Sequence, residues 1–542
     1  MGRNKLIFSF LIFFSFTLLF NNVLADSLSV DTVISPDSLA LSTEIIATGL
    51  PEISKPSFLD KLISDDGLPF VAIAILLLLI AYSVYSPLVD YLNKTKEESG
   101  LSDIGKYETE DAQEASIATK GTLKYLAIII GLGYLTYIGV KDSSMQGFVM
   151  EWLNLIVRWF HVVAGVMWIG ASFYFIFLEN NLNRTKGIRD ELAGNLWAVH
   201  GGGFYFLEKY KVAPKEIPED LHWFKYEAYF TWLSGFFLLF IVYYMDAKAF
   251  LIDPSIADIS SATAIGIGIG ILIFGYVIYD LMCRSRLSNN QGLFAIVGFV
   301  VLTAIAYFLT EVFNPRAAYI HVGALIGTIM VGNVYFTIIP AQKAMVKAAK
   351  TGGFLDESLG KKAGQRSLHN NYFTLPVIFI MISNHFPSTF GHEFNWIVLM
   401  VISLASAGIK HYWNLIEQGV VKKRILWISV IGLLSLALVT SPFFEDTMDN
   451  SIPVSFEEAN EVIQTRCVQC HSSSPTDDQW TTAPNGVMYD TPEQIKAMAD
   501  KIMIRAVRTK TMPQGNKTNM TDNERVVLKR WILQGAKIDS SD

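Results

Sequence analysis

Ten apolar stretches divide the chain of 542 residues, and each is long enough to cross the hydrocarbon core of a bilayer. They run over about 68–92, 122–140, 151–178, 226–246, 262–282, 291–312, 317–340, 372–390, 394–414 and 425–444. In lipid every backbone N–H and C=O must be satisfied within its own segment, so spans of this kind fold as helices. A chain that is 51% hydrophobic and 17% charged also has too few polar residues to clothe a soluble globule of this size. The predicted class is therefore all-α: a polytopic membrane helix bundle whose main partner is the lipid bilayer. A net charge of −7, with no basic patch interleaved with aromatics, excludes nucleic acid as a partner.

The ends of the chain do not follow this pattern. Arg3 and Lys5 precede an apolar run from Leu6 to Phe20, and Val23-Leu24-Ala25 closes it with small residues, so residues 1–25 read as a signal peptide, the alternative being an uncleaved anchor. Residues 26–66, rich in Ser, Asp, Thr and Pro, read as an exported flexible segment, and 67–149 as an extension carrying the first two spans. The remaining eight spans make a membrane domain over 150–446. Lysine and arginine crowd alternate loops, for instance Arg184 to Lys215, Lys343 to Arg366 and Lys422 to Arg424. The positive-inside rule places those loops in the cytoplasm and the tail after Phe444 outside. A bacterial inner membrane with the tail in the periplasm is the implied setting.

That tail contains the stretch whose chemistry is most specific. Cys467-Val468-Gln469-Cys470-His471 has the spacing of a c-type haem attachment site, in which two thiols bond the porphyrin and the adjacent histidine reaches the iron. A redox dithiol is the competing reading, but a helical run from Phe456 to Arg466 leads into the motif and no βαβ pattern surrounds it. Cys283 is the only other cysteine, too few for a four-cysteine zinc site. Met488, Met498, Met503, Met512 and Met520 are candidates for the second iron ligand. Met498 and Met503 fall at core spacing in a helical run from Pro492 to Arg508, whereas Met512 precedes Pro513 in an extended loop, so His471 and Met512 are the expected metal ligands. With a closing helix over Asp522 to Gln534, residues 453–540 look like a class I cytochrome c domain carrying one covalent haem c.

Within the membrane domain, polar residues are costly and therefore informative. Arg158, His161, Gly165, Trp168 and Ser172 share one helix face, and His321 lies in the span from 317. His161 and His321 either hold a second redox centre, a b-type haem or a metal, or hydrogen-bond neighbouring helices. Arg158 either binds an anion or neutralises Glu151. Gly266, Gly268 and Gly270 suit close helix packing. His200-Gly201-Gly202-Gly203-Phe204 is not a dinucleotide fingerprint, since no strand is expected before it and the spacing is wrong.

Several stretches together resemble a known family. Met150-Glu151-Trp152-Leu153-Asn154, Arg158-Trp159-Phe160-His161, Trp168-Ile169-Gly170-Ala171-Ser172-Phe173-Tyr174, Asn195-Leu196-Trp197-Ala198-Val199-His200-Gly201-Gly202-Gly203-Phe204-Tyr205, His321-Val322-Gly323-Ala324 and Arg366-Ser367-Leu368-His369-Asn370-Asn371-Tyr372 resemble the bacterial membrane-bound urate hydroxylases, in which eight spans are fused to a C-terminal cytochrome c. The likeness covers about 150–542, and the segment before it is a departure from the family pattern. The resemblance implies oxidation of urate to 5-hydroxyisourate in purine catabolism, with water as the oxygen source and electrons leaving through the haem to a soluble cytochrome c or a terminal oxidase. A planar anion needs cationic or amide donors, for which Arg158, Arg366, His369, Asn370 and Asn371 are candidates, and a base to activate water, for which His161, His200, His321 and His385 are candidates. No spacing selects among them. The competing function is a non-catalytic carrier relaying electrons from quinol or a dehydrogenase through the same haem.

Overall fold

Long helices stand where the apolar runs predict them. The computed structural model describes residues 146–214, 216–219, 221–354, 356–441, 452–477, 480 and 482–538, all within one compact unit, Leu101–Asp542. The signal peptide, the exported segment and the spans predicted over 68–92 and 122–140 lie outside the described residues. The bundle starts with α1, Gln146–Asn181, and α2, Tyr226–Leu239, which runs on into a π-helical turn, Phe240–Tyr244. A short α3, Ala247–Phe250, leads to α4, Ser261–Arg284, and α5, Gln291–Thr310. Then come α6, Pro315–Gly332, a second π-helical turn, Asn333–Ile338, and α7, Ile339–Thr351. The bundle closes with α8, Glu357–Ile382, a short α9, Pro387–Phe390, α10, Asn395–Glu417, and α11, Lys423–Val439.

Six of these segments are long and apolar enough to cross a membrane: α1, α2 with its turn, α4, α5, α6 with α7, and α10. The other two long helices are α8, whose first half is polar, and α11, of 17 residues. Instead of the span predicted over 372–390, α8 starts at Glu357, where the Asp356 carboxylate accepts the Ser358 N–H and caps the helix. The axis of the bundle is α6: thirteen of its eighteen residues are buried, so other helices surround it. The outer helices turn side chains such as Val166, Phe274 and Ile428 outward, at 67%, 68% and 72% exposure, as a surface solvated by lipid requires.

The fold is mostly helical as expected, with one segment that is not. Leu192–His200 and Gly203–Tyr210 form an antiparallel hairpin, β1 and β2, closed by Gly201 and Gly202 at φ 59° and 78°. Both turn residues are left-handed, which suits glycine, and the strand that sequence reasoning did not expect before Gly201 is β1. The hairpin stays clear of nucleotide chemistry because β2, not a helix, follows the glycines. Ion pairs of Lys209 and Arg184 with Glu179 tie it to the last turn of α1.

The C-terminal unit has its own core around Ile463, Ile495, Leu528 and Trp531. Its first helix, α12, Phe456–Arg466, begins with a capping box of Ser455 and Glu458, and its last, α15, Asp522–Leu533, with one of Thr521 and Glu524. Between them lie α13, Pro492–Ala497, α14, Ala499–Ile502, and a third π-helical turn, Met503–Arg508. This unit seats on the bundle where backbones come close. A Cβ on Gly391 would stand 2.4 Å from Thr509 Cβ, and one on Gly515 3.2 Å from the Ile252 carbonyl oxygen. Phe250 and Trp480 meet edge to face across the same seam, 6.3 Å between centroids.

Candidate functional site

Three groups of polar residues stand out, and each of the three π-helical turns contributes to one of them. A π-helical turn adds a residue to the helix and re-aims the side chains that follow.

At the end of the bundle away from the C-terminal unit, α4, α6 and α8 are joined by a buried network. Arg366 donates Nη2 to Asp280 Oδ1 at 2.6 Å and Nη1 to Asn333 Oδ1 at 3.0 Å. That second bond fixes the Asn333 amide, whose Nδ2 then donates to Tyr279 Oη at 2.9 Å and to Asn370 Oδ1 at 2.8 Å. Tyr279 Oη also lies 2.8 Å from His369 Nδ1. His369 Nε2 is a buried nitrogen with no partner among the described residues. The ring stacks on Phe294, 4.7 Å between centroids at 20°. Asp280 also accepts from Arg284 at 2.6 Å, so its one carboxylate is shared between two guanidinium groups. The fold thus unites Arg366, His369 and Asn370, and adds Asp280, Tyr279 and Asn333. Asn371, also buried, has neither amide atom bonded.

Near the seam, α1, the turn after α2, and the start of α6 form the second group. His161 Nδ1 lies 3.0 Å from the Thr231 carbonyl oxygen and 3.1 Å from Ser234 Oγ. A carbonyl only accepts, so Nδ1 holds the proton and Nε2 keeps its lone pair. Arg158 is bonded by Asn154 Oδ1 at 2.9 and 3.1 Å, not by Glu151. His321, wholly buried, donates Nδ1–H to the Ala317 carbonyl at 2.8 Å and accepts the Tyr244 hydroxyl at Nε2, 3.0 Å away. With both nitrogens engaged, His321 offers no lone pair to a metal, so the pair His161 and His321 does not fit a shared haem b or metal. Among the described residues no group of three or more His, Cys, Asp and Glu side chains is arranged to hold a metal ion. Glycines make room here: a Cβ on Gly268 would be 2.6 Å from Tyr244 Oη and 2.8 Å from His321 Nε2, and one on Gly235 2.9 Å from His161 Cε1. Of the other two candidate bases, His385 is exposed in the turn after α8 and His200 is exposed beside the hairpin turn.

The third group is the Cys467–His471 motif, which follows α12 directly. His471 Nδ1 lies 2.9 Å from the Val487 carbonyl oxygen, which leaves Nε2 unprotonated and free to face an iron atom. Burial lowers the imidazole pKa, only partly opposed by that hydrogen bond, so the ring is kept neutral as a ligand must be. The Met512 backbone is pinned on both sides: its N–H donates to the Arg505 carbonyl at 2.9 Å and its carbonyl accepts from Arg525 Nη1 at 2.8 Å. Its side chain is half-buried and, like those of Cys467 and Val487, packs against the core of this unit, whereas Met503 and Met520 are buried at 5% and 3% exposure. The donor set at Cys467, Cys470, His471 and Met512 thus fits a covalently held haem.

Sequence reasoning missed Asp280, Tyr279 and Asn333. Asp280 carried the one available signal, a carboxylate inside an otherwise apolar span.

A bundle of lipid-facing helices with buried arginine and histidine clusters is the architecture of a membrane protein whose chemistry lies within or beside its spans. Residues 147–441 match the family model for the N-terminal part of urate oxidase, and the chain belongs to that family of urate-related enzymes. No curated protein and no solved structure matches it.

Proposed function

We propose that this chain is a membrane-bound urate hydroxylase that delivers its electrons to a c-type haem. The family match over 147–441 carries the reading, and the Cys467–His471 motif with its preset imidazole supports the acceptor. The reaction adds water to C5 of urate: urate and H2O give 5-hydroxyisourate, two protons and two electrons. His161 acts as the base, because Thr231 fixes its proton on Nδ1 and leaves Nε2 to take one from water. His471 and Met512 would ligate the iron, and Cys467 and Cys470 would hold the porphyrin; once bound, haem c supplies a one-electron acceptor that is used twice. Electrons continue to a soluble cytochrome c or a terminal oxidase. The setting is a bacterial cytoplasmic membrane, with the C-terminal unit on the periplasmic side.

The test is anaerobic addition of urate to the oxidised, detergent-solubilised protein while haem absorbance is followed, with Cys467→Ala/Cys470→Ala as the control. Haem reduction at two equivalents per urate consumed is expected. Reduction by a quinol but not by urate would leave a carrier and remove the hydroxylase.

A further inference from the structure

Three guanidinium groups gather where the C-terminal unit meets the bundle. Arg158 comes from α1, Arg316 from the first turn of α6, and Arg505 from the π-helical turn Met503–Arg508. The placement follows from the packing: Arg316 Nε donates to Asn384 Oδ1 at 3.0 Å, and the turn Met503–Arg508 lies against α9, just beyond Asn384. The Arg316 charge acts on both of the other arginines, and Arg505 has its pKa lowered first by burial and then by Arg316. No carboxylate among the described residues forms an ion pair with any of the three; Arg158 is held by the Asn154 amide and Arg316 by the Asn384 amide. Beside them the Tyr243 hydroxyl, on a residue 3% exposed, makes no hydrogen bond of full geometry among the described residues; the Arg316 side chain approaches it as a donor, and the charges of Arg316 and Arg158 act on it.

Like charges that crowd together under partial burial, with a buried hydroxyl among them, repel unless an anion joins them. Guanidinium forks match flat anions that present neighbouring oxygen and nitrogen acceptors, as the urate monoanion does. Arg505 also ties the cluster to the electron acceptor, since its carbonyl takes the N–H of Met512 at 2.9 Å. We propose that Arg158, Arg316, Arg505 and Tyr243 form an anion site at the seam, and that this site holds the planar heterocyclic substrate. The inference rests on the hydroxylase reading above and locates its substrate. It makes the C-terminal unit part of the binding site as well as the electron acceptor.

The experiment uses the full-length holoprotein in detergent with two readouts: equilibrium binding of 8-azaxanthine, a planar purine anion with nitrogen in place of C8, and the urate concentration that half-saturates haem reduction. Arg158→Gln, Arg316→Gln and Arg505→Gln are each expected to weaken azaxanthine binding and raise the half-saturating urate concentration by about 10–100-fold, with covalent haem content unchanged. Arg316→Lys and Arg505→Lys, which keep the charge and lose the fork, should fall between these and the unaltered protein, and they stand in for any Gln variant that does not fold. If all the variants keep both values within about twofold while urate still reduces the haem, the site lies elsewhere and the hydroxylase reading survives. Loss of covalent haem with unchanged azaxanthine affinity would overturn the proposal in favour of the haem carboxylates as the anion. A holoprotein that neither binds azaxanthine nor is reduced by urate would sink the hydroxylase reading itself.

Discussion

The two arginine centres of the bundle differ in what answers their charge. Arg366 meets Asp280 at 2.6 Å and an ordered set of amides, so its network is complete apart from His369 Nε2 and clamps α4, α6 and α8 together. Arg158 and Arg316 are held by amide oxygens, with no carboxylate paired to them among the described residues, and Arg316 acts on Arg505 from another part of the chain. Buried cations with a carboxylate are the mark of architecture, and cations without one are the mark of a place where an anion belongs. Position in the sequence hides this difference, because Arg366 sits in the more distinctive family stretch.

Four measurements sharpen or break the contrast. The largest effect is expected at His161: His161→Ala should slow urate-driven haem reduction by about 10²–10⁴-fold with the melting temperature little changed, whereas His369→Ala should leave that rate within a few-fold. A rate that falls instead at His369 would move the chemistry to the opposite end. Next, Asp280→Ala strands Arg366 and should destabilise the bundle by about 3–5 kcal/mol in a detergent unfolding assay, while Arg316→Gln changes stability by no more than about 1 kcal/mol. Equal effects would erase the distinction between paired and unpaired cations. Gly268→Ala places a methyl group against the Tyr244–His321 pair and should destabilise by about 1–3 kcal/mol, visible as a lower melting temperature.

The smallest effect concerns pH. Burial tends to raise the Glu524 carboxyl, but the Thr521 N–H and hydroxyl and the Arg466 guanidinium outweigh it, and the net pKa lies below the ordinary value. A carboxylate depressed on folding contributes stability at neutral pH that is lost as pH falls through the carboxylate range. Glu524→Gln should therefore flatten the acid side of the C-terminal unit's stability curve by less than about 1 kcal/mol, since the Arg466 pair is partly exposed.

Much of the fold could be read directly from the residues. The helix Phe456 to Arg466 before the CxxCH motif is α12 to the residue, because Ser455 and Glu458 mark its start locally. Long apolar runs became long helices for an equally local reason, the need to satisfy the backbone in lipid. The reading failed at α8 and at the hairpin. Hydropathy has no view of a polar half-helix capped by Asp356, and β1 lacks the strict alternation that announces a strand.

What the sequence alone determined, then, was the class of the bundle and the place of the CxxCH motif, since hydrophobic length and CxxCH spacing are properties of contiguous residues. Which arginine is answered by a carboxylate was decided only by tertiary structure. Asp280 and Arg366 are 86 positions apart, and Arg158, Arg316 and Arg505 come from three segments that meet only after the C-terminal unit has seated. Local chemistry is written along the chain, but charge balance belongs to the packed arrangement, because a Coulomb interaction depends on distance in space and on what water remains between the partners.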